Sequence, residues 1–236
     1  MKKSILCAGL AITLLMSACN DDTLDAITTV DSSFETSADG WASELAEYST
    51  ETDTATIQFR SGRTNLPAGL DVKKFAYMLQ AQNRSDDMFM YLKKKITGLV
   101  PNGTYSVVFD LDLATKYSEG APGAGGSPSS SVYIKAGASP VEPAKKLVNK
   151  FYEFTLDKGQ QANEGKDAVL LGNASNGLEE EKYAIVKRSN ADKPFTVKVN
   201  AQGELWLFIG SDSGFEGLNT LYFDRAKVTI KEVAVN

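Results

Sequence analysis

Carboxylates carry most of the chemistry this chain can offer, because none of its 236 residues is histidine. Without imidazole there is no Ser-His-Asp or Cys-His relay and no ordinary zinc site. What remains is Asp, Glu, Lys, Arg, Tyr and Ser, and for metal a hard, oxygen-ligated cation such as calcium. Asp110 and Asp112 stand two apart on one face of a predicted strand, roughly 6.5–7 Å from each other by strand rise. That separation approaches the acid–base spacing of glycoside hydrolysis, and it equally suits a ligand contact or a plain solvated face. Asp212, Glu216 and Asp224 lie in and around the Gly/Ser-rich connection of Gly203 to Val233, where alternation and loop position bring carboxylates together. Arg84, Asp86 and Asp87 share the polar turn Asn83-Arg84-Ser85-Asp86-Asp87, whose guanidinium suits bidentate contact with a carboxylate.

The N-terminus sets the address. Lys2 and Lys3 precede an apolar run from Ile5 to Met16 that is too short to span a bilayer as a mature helix, the pattern of an export signal. Leu15-Met16-Ser17-Ala18-Cys19 resembles a bacterial lipobox, which implies cleavage after residue 18 and lipidation of Cys19. The chain has two cysteines, and Cys7 leaves with the signal, so nothing remains for a disulfide or a thiolate nucleophile. The domains expected are a signal at 1–18, an acylated tether at 19–28 and a folded unit at 29–236. Asp21 and Asp22 close behind the anchor favour an outer-membrane, surface-exposed location. The net charge of −5 argues against nucleic acid, which needs clustered cations to neutralise phosphates. Lys93-Lys94-Lys95 is the one basic run and reads as a strand end or solvated face.

Short apolar-alternating segments must position these groups. Strands are expected at Val30 to Glu35, Thr54 to Arg60, Phe75 to Gln82, Met88 to Ile96, Tyr105 to Leu113, Ser131 to Ala136, Phe151 to Leu156, Ala168 to Leu171, Tyr183 to Lys187 and Phe195 to Val199. A hairpin of Glu204 to Ile209 with Thr220 to Val233 ends the chain, and 75–82 pairs with 88–96 as another. In the clearest strand Tyr105, Val107, Phe109, Leu111 and Leu113 form the core face. Asp39-Gly40 marks a turn that Trp41 anchors to the core. About ten strands and no convincing amphipathic helix give an all-β antiparallel sandwich. The loop from Lys116 to Ser130 is long enough to be functional, and Gly125 to Ser127 within it, 83–87 and 211–216 are turn-located, of the kind that cluster at the two rims of a sandwich and could bind there.

Phe34-Glu35, Gly40-Trp41, the run from Leu99 to Val107 and Leu221-Tyr222-Phe223-Asp224 occur in an order that resembles galactose-binding-like jelly rolls. These include carbohydrate-binding modules, and the resemblance covers nearly the whole mature chain. It implies a jelly-roll fold and a structural calcium held by Glu35 and Asp224, with Asp39 as a further ligand. Trp206 is the candidate stacking platform for a sugar if only the Leu205/Leu207/Ile209 face is core; with both faces buried it is core too. The expected function is a lipid-anchored, non-catalytic envelope protein that binds extracellular polysaccharide. A structural or adhesive role through contacts with a cell-surface protein is the alternative, and a carboxylate glycoside hydrolase a minor one.

Overall fold

The computed structural model describes residues 27–233, which contain fifteen strands and one short helix. Cys19, the signal and most of the tether lie outside the described residues. The first half comprises β1 (Ile27–Ser32), β2 (Ala42–Ala46), β3 (Tyr48–Ser49), α1 (Thr54–Ile57), β4 (Arg60–Asn65), β5 (Phe75–Gln82), β6 (Met88–Ile96) and β7 (Thr104–Thr115). Then follow β8 (Val132–Ser139), β9 (Lys145–Val148), β10 (Phe151–Phe154), β11 (Ala168–Asn173) and β12 (Ala184–Ser189). The last are β13 (Phe195–Lys198), β14 (Leu205–Ser213) and β15 (Leu218–Glu232).

Two antiparallel sheets face each other. The first runs β12-β7-β15-β5-β4, with β13 on the other half of β7 and β1 on the other half of β15; the second runs β11-β8-β14-β6-β2. The alternating face of β7 packs inward as expected, with Tyr105, Val107, Phe109, Leu111 and Leu113 all buried. Met88, Met90, Leu92, Leu205, Leu207 and Ile209 meet it from the second sheet. Fully burying each such side chain contributes about 1.5–3 kcal/mol. On β15 the inward set changes parity, from Leu221 and Phe223 to Ala226, Val228 and Ile230. The change falls at a bulge between Phe223 and Arg225, where Asp224 is the extra residue.

The second sheet is apolar on both faces. Phe89 and Tyr91 of β6, Phe208 of β14 and Ala46 of β2 point away from the main core and form a second cluster with Phe154 of β10. Phe154 stands edge-on to three rings, at 4.9 Å from Phe89, 4.9 Å from Tyr91 and 5.3 Å from Phe208. A small third sheet, β3-β10-β9, carries Phe154 onto this face.

Several expectations are corrected. The segment 54–60 is not a strand: Asp53 caps α1 by accepting from the backbone N–H of Ala55, and the strand begins at Arg60. The first strand starts at Ile27, so residues 27 and 28 are sheet and not tether. Neither expected hairpin forms, because β5 and β15 belong to the first sheet while β6 and β14 belong to the second. Each connection therefore crosses the sandwich at its rim. Trp41 does anchor its turn, buried with Nε1 donating to Ser32 Oγ at 3.0 Å.

Candidate functional site

The two sheet-crossing connections meet at one rim and build a cleft of about 520 Å³ lined by Asn83, Arg84, Ser85, Asp86 and Glu216. Asn83 is the stitch between them. It is buried, donates through Nδ2 to the carbonyls of Ser213 at 2.6 Å and Phe215 at 3.1 Å, and accepts from the N–H of Ser85 at 3.0 Å. Gln82 adds a bond to the Glu216 carbonyl at 3.1 Å. The long loop joins the same rim: Glu216 N–H donates to Ala124 O at 2.9 Å. Gly125, at φ +69°, lies so close that a Cβ there would stand 2.7 Å from Glu216 Cγ. Three turn-rich loops are thus in contact at one rim.

Arg84, Asp86 and Glu216 are exposed, and among the described residues none of them is in an ion pair. The guanidinium makes one long contact, 3.4 Å from Nε to the Thr56 carbonyl. A fork of N–H donors beside two acceptor-only carboxylates matches the alternating donors and acceptors of neighbouring hydroxyl groups. The Ser85 hydroxyl in the same lining is committed to the Glu47 carbonyl.

Asp87 and Asp212 leave this set. Asp212 is not in a loop: it lies inside β14, fully buried on the outer face of the second sheet, with Lys135 at 2.9 Å and Lys158 at 2.8 Å. Asp87 turns inward to the same cluster, 3.5 Å from Lys158. Burial first, and then the Asp212 charge, push its carboxyl up to about 7. Neither is available to a ligand at the rim.

Asp110 and Asp112 line a separate cleft of about 230 Å³ on the open face of the first sheet, with Lys187, Arg188, Ser189, Arg225 and Lys227. Lys227 stands opposite Asp110, Lys187 opposite Asp112, and Ser189 Oγ donates to Asp110 at 2.7 Å. These are cross-strand pairs of opposite charge that support the sheet. Arg225 also grips Asp31 through two N–H groups, at 2.7 and 2.5 Å.

Glu35, Asp39 and Asp224 do not gather as a calcium site: among the described residues no three His, Cys, Asp or Glu side chains form a metal-ligating group. Glu35 accepts from the N–H of Phe75 at 3.2 Å, and Asp39 from Ser37 Oγ at 2.6 Å. Asp224 on its bulge is raised above the ordinary aspartate value by burial, with Asp112 and Glu35 adding to it against Lys74. A cation already sits nearby. Arg63 donates to the carbonyl of Phe34 at 2.7 Å and to that of Glu35, and its guanidinium lies 3.4 Å over the Phe75 ring. Phe34 itself has φ +59°, so this clamp holds a backbone conformation that a bulky residue disfavours. Sequence offered no sign of it, because the partners of Arg63 are carbonyls.

Trp206 is half-buried on the outer face of the second sheet, with Lys95 Nζ at 6.0 Å from its ring. It stands at the start of β14, whereas the rim cleft lies beyond the strand's end, so it is no platform for that cleft. Phe208 on the same face is fully covered, and Tyr77 belongs to the main core. The lysine run is engaged: Lys93 pairs with Glu44 and Glu142, Lys94 donates to the Asp39 carbonyl, and Lys95 pairs with Glu204 at 2.6 Å. Lys135 and Lys158 escaped notice as site residues. A lone lysine inside the apolar run Val132-Tyr133-Ile134-Lys135-Ala136 was the available signal, since a buried cation needs a partner.

No protein-family model matches the chain, and no curated protein matches it. Solved structures do. The xylan-binding CBM22-1 domain of Paenibacillus barcinonensis Xyn10C is similar at 12% identity and a TM-score of 0.38, over 90% of this chain and 97% of that one. The K1 cleaved adhesin domain of Lys-gingipain from Porphyromonas gingivalis W83 is similar at 15% identity and a TM-score of 0.37, over 88% and 99%. The enzymatically active domain of bacteriophage CBA120 tailspike protein 4 is similar at 11% identity and a TM-score of 0.37, over 85% of this chain but only 20% of that one. The expected antiparallel β-sandwich is the fold observed.

Proposed function

We propose that this domain is a non-catalytic binder of extracellular carbohydrate, displayed from an outer membrane through lipid on Cys19, and that its ligand seats in the rim cleft. The observation that carries the reading is the set Arg84, Asp86 and Glu216, brought from two loops to one open cleft with no ion pair of their own among the described residues. Its volume of about 520 Å³ falls within the size range of ligand pockets. A sugar's hydroxyls would donate to the two carboxylates and accept from the guanidinium.

The test is retardation of the purified protein in gels that each contain one polysaccharide, run with calcium and with chelator. Arg84→Ala and Glu216→Ala are each expected to weaken retardation about tenfold, the loss of roughly one charge-assisted hydrogen bond. Unchanged retardation in both variants would remove the cleft as the site. No retardation on any neutral or acidic glycan would remove the carbohydrate reading and favour a protein partner. Palmitate labelling that persists in Cys19→Ala would remove the anchor.

A further inference from the structure

The buried cluster on the outer face of the second sheet has the makings of a covalent bond. Lys135 on β8 and Asp212 on β14 lie on paired strands, two steps apart in register: Lys135 is opposite Gly210 and Asp212 opposite Tyr133. Both side chains are fully buried, with Nζ of Lys135 2.9 Å from Oδ2 of Asp212. Nζ also donates to the carbonyls of Lys158 at 2.8 Å and Asn163 at 3.0 Å. With Asp212 these use all three hydrogens of the ammonium, and loss of the one directed at Asp212 leaves the lone pair of the amine aimed at that carboxyl.

The carboxyl is equally prepared. Oδ2 accepts from the Lys158 ammonium at 2.8 Å and the N–H of Gln161 at 3.0 Å, whereas Oδ1 of Asp212 and Oδ1 of Asp87 are buried with no partner. Asp87 and Asp212 meet at Lys158 Nζ, their Oδ2 atoms 3.5 and 2.8 Å from it, and one proton shared between the two carboxyls would relieve the two stranded oxygens. The rings of Phe89, Phe154 and Phe208 lie alongside, with Lys158 Nζ 5.6 Å from the Phe89 centroid. Two lysines therefore compete for one carboxylate in a dry site.

We propose that Lys135 and Asp212 join as an intramolecular isopeptide bond, with Asp87 as the proton carrier. The Lys135 lone pair attacks Cγ of Asp212, and the negative charge that develops on Oδ2 is held by Lys158 and the Gln161 N–H, as in an oxyanion hole. Asp87 delivers its proton to Oδ1, the Cγ–Oδ1 bond breaks with its electron pair on oxygen, and water leaves. The second proton of that water is the one shed by Nζ, relayed through the Asp87 carboxylate, so Asp87 ends ionised. One amine and one carboxylic acid become one amide and one water, and no oxidant or cofactor enters. Burial and the neighbouring Lys158 charge lower the Lys135 ammonium below its ordinary value, although Asp212 and Asp87 oppose them. The raised Asp87 carboxyl keeps a proton to give near neutral pH. Holding the reactants in contact replaces a bimolecular encounter, and the product removes a costly buried ion pair.

The experiment is denaturation and proteolysis of the purified full-length protein, followed by mass spectrometry of the peptides. A linked pair carrying Lys135 and Asp212, one water lighter than the two together, is the expected result. Lys135→Arg should show none, and Asp212→Asn should give the same link by loss of ammonia. Asp87→Asn, at a partly exposed position that tolerates an amide, should slow formation by about a hundredfold or more. Free Lys135 and Asp212 peptides from folded wild-type protein after long incubation would overturn the proposal. So would a link made through Lys158 in place of Lys135.

Discussion

Replacing Arg63 by alanine tests whether a side-chain cation organises the turn after β1. The substitution removes the bonds to the Phe34 and Glu35 carbonyls and the stacking over Phe75. A hydrogen bond to a charged group contributes about 1.5–3 kcal/mol when buried, and less here because Arg63 is largely exposed. The cation–π contact adds about 0.5–1 kcal/mol at such a site. Water can solvate the freed carbonyls, so the net loss should be about 2–3 kcal/mol. For a domain of this size that corresponds to a fall in Tm of roughly 5–10 °C, measured by calorimetry. Arg63→Lys should recover only part of it, since an ammonium cannot fork between two carbonyls or stack in the same way. Millimolar calcium should stabilise Arg63→Ala and leave wild type unmoved, because only the variant exposes those carbonyls beside the Glu35 carboxylate. A Tm within about 1 °C of wild type would refute the clamp. Equal stabilisation of both proteins by calcium would refute its role in place of a metal.

Asn83→Ala should cost about 2–3 kcal/mol in urea unfolding, because its amide satisfies two carbonyls and one N–H at a buried position. It should also abolish glycan retardation if the cleft binds one. In Gly137→Ala a Cβ would stand 2.0 Å from the Asp167 carbonyl and 2.3 Å from the Phe208 ring, so about 3 kcal/mol or more should be lost. Unfolding midpoints as good as wild type would mean that the loop over the second sheet yields freely. Asp31 sits below the ordinary aspartate value because Arg225 hydrogen-bonds it. Its folded value is lower than its unfolded one, so the pair's stabilisation is present above the unfolded value and is lost as pH falls through the folded one. Asp31→Asn should therefore flatten the acid limb of a stability–pH profile, and an unchanged limb would count against the pair.

What sequence could and could not tell follows from the physics of each segment. The alternation of Tyr105 to Leu113 reports its two faces because one is core and the other meets water, and β7 forms as read. Pairing partners were not legible. A polar connection such as 83–87 looks the same whether it folds a hairpin or crosses between sheets, and nothing local in β5 or β6 decides it. The end of the second sheet misled differently: Ser211-Asp212-Ser213 has turn composition, yet it is the last stretch of β14, and Oδ2 of Asp212 is matched by two lysines distant in the chain. The helix at Thr54 was missed because four residues of α1 mimic alternation, although Asp53 supplied a cap signal. The rim was legible in part: turn composition sends loops to one end of a sandwich or the other, and the sheet crossings decide which share an end. Turn-rich loops on a sandwich have few places to go, and Arg84, Asp86 and Glu216 meet there.

The pairing of β1 with β15 decides how the domain bears tension. Ile27 lies opposite Lys231 and Ser32 opposite Ala226, so the chain enters the sandwich at the far end of β15. Glu216 and the rim cleft lie just before that strand's start at Leu218, roughly 45 Å away by strand rise. A pull on the leading segment against a load held at the cleft runs along the strands. All six residue pairs of β1 are then strained in parallel, as in a lap joint, and must yield together. Gripped instead by its two termini, which leave side by side, the same strand would peel away one pair at a time.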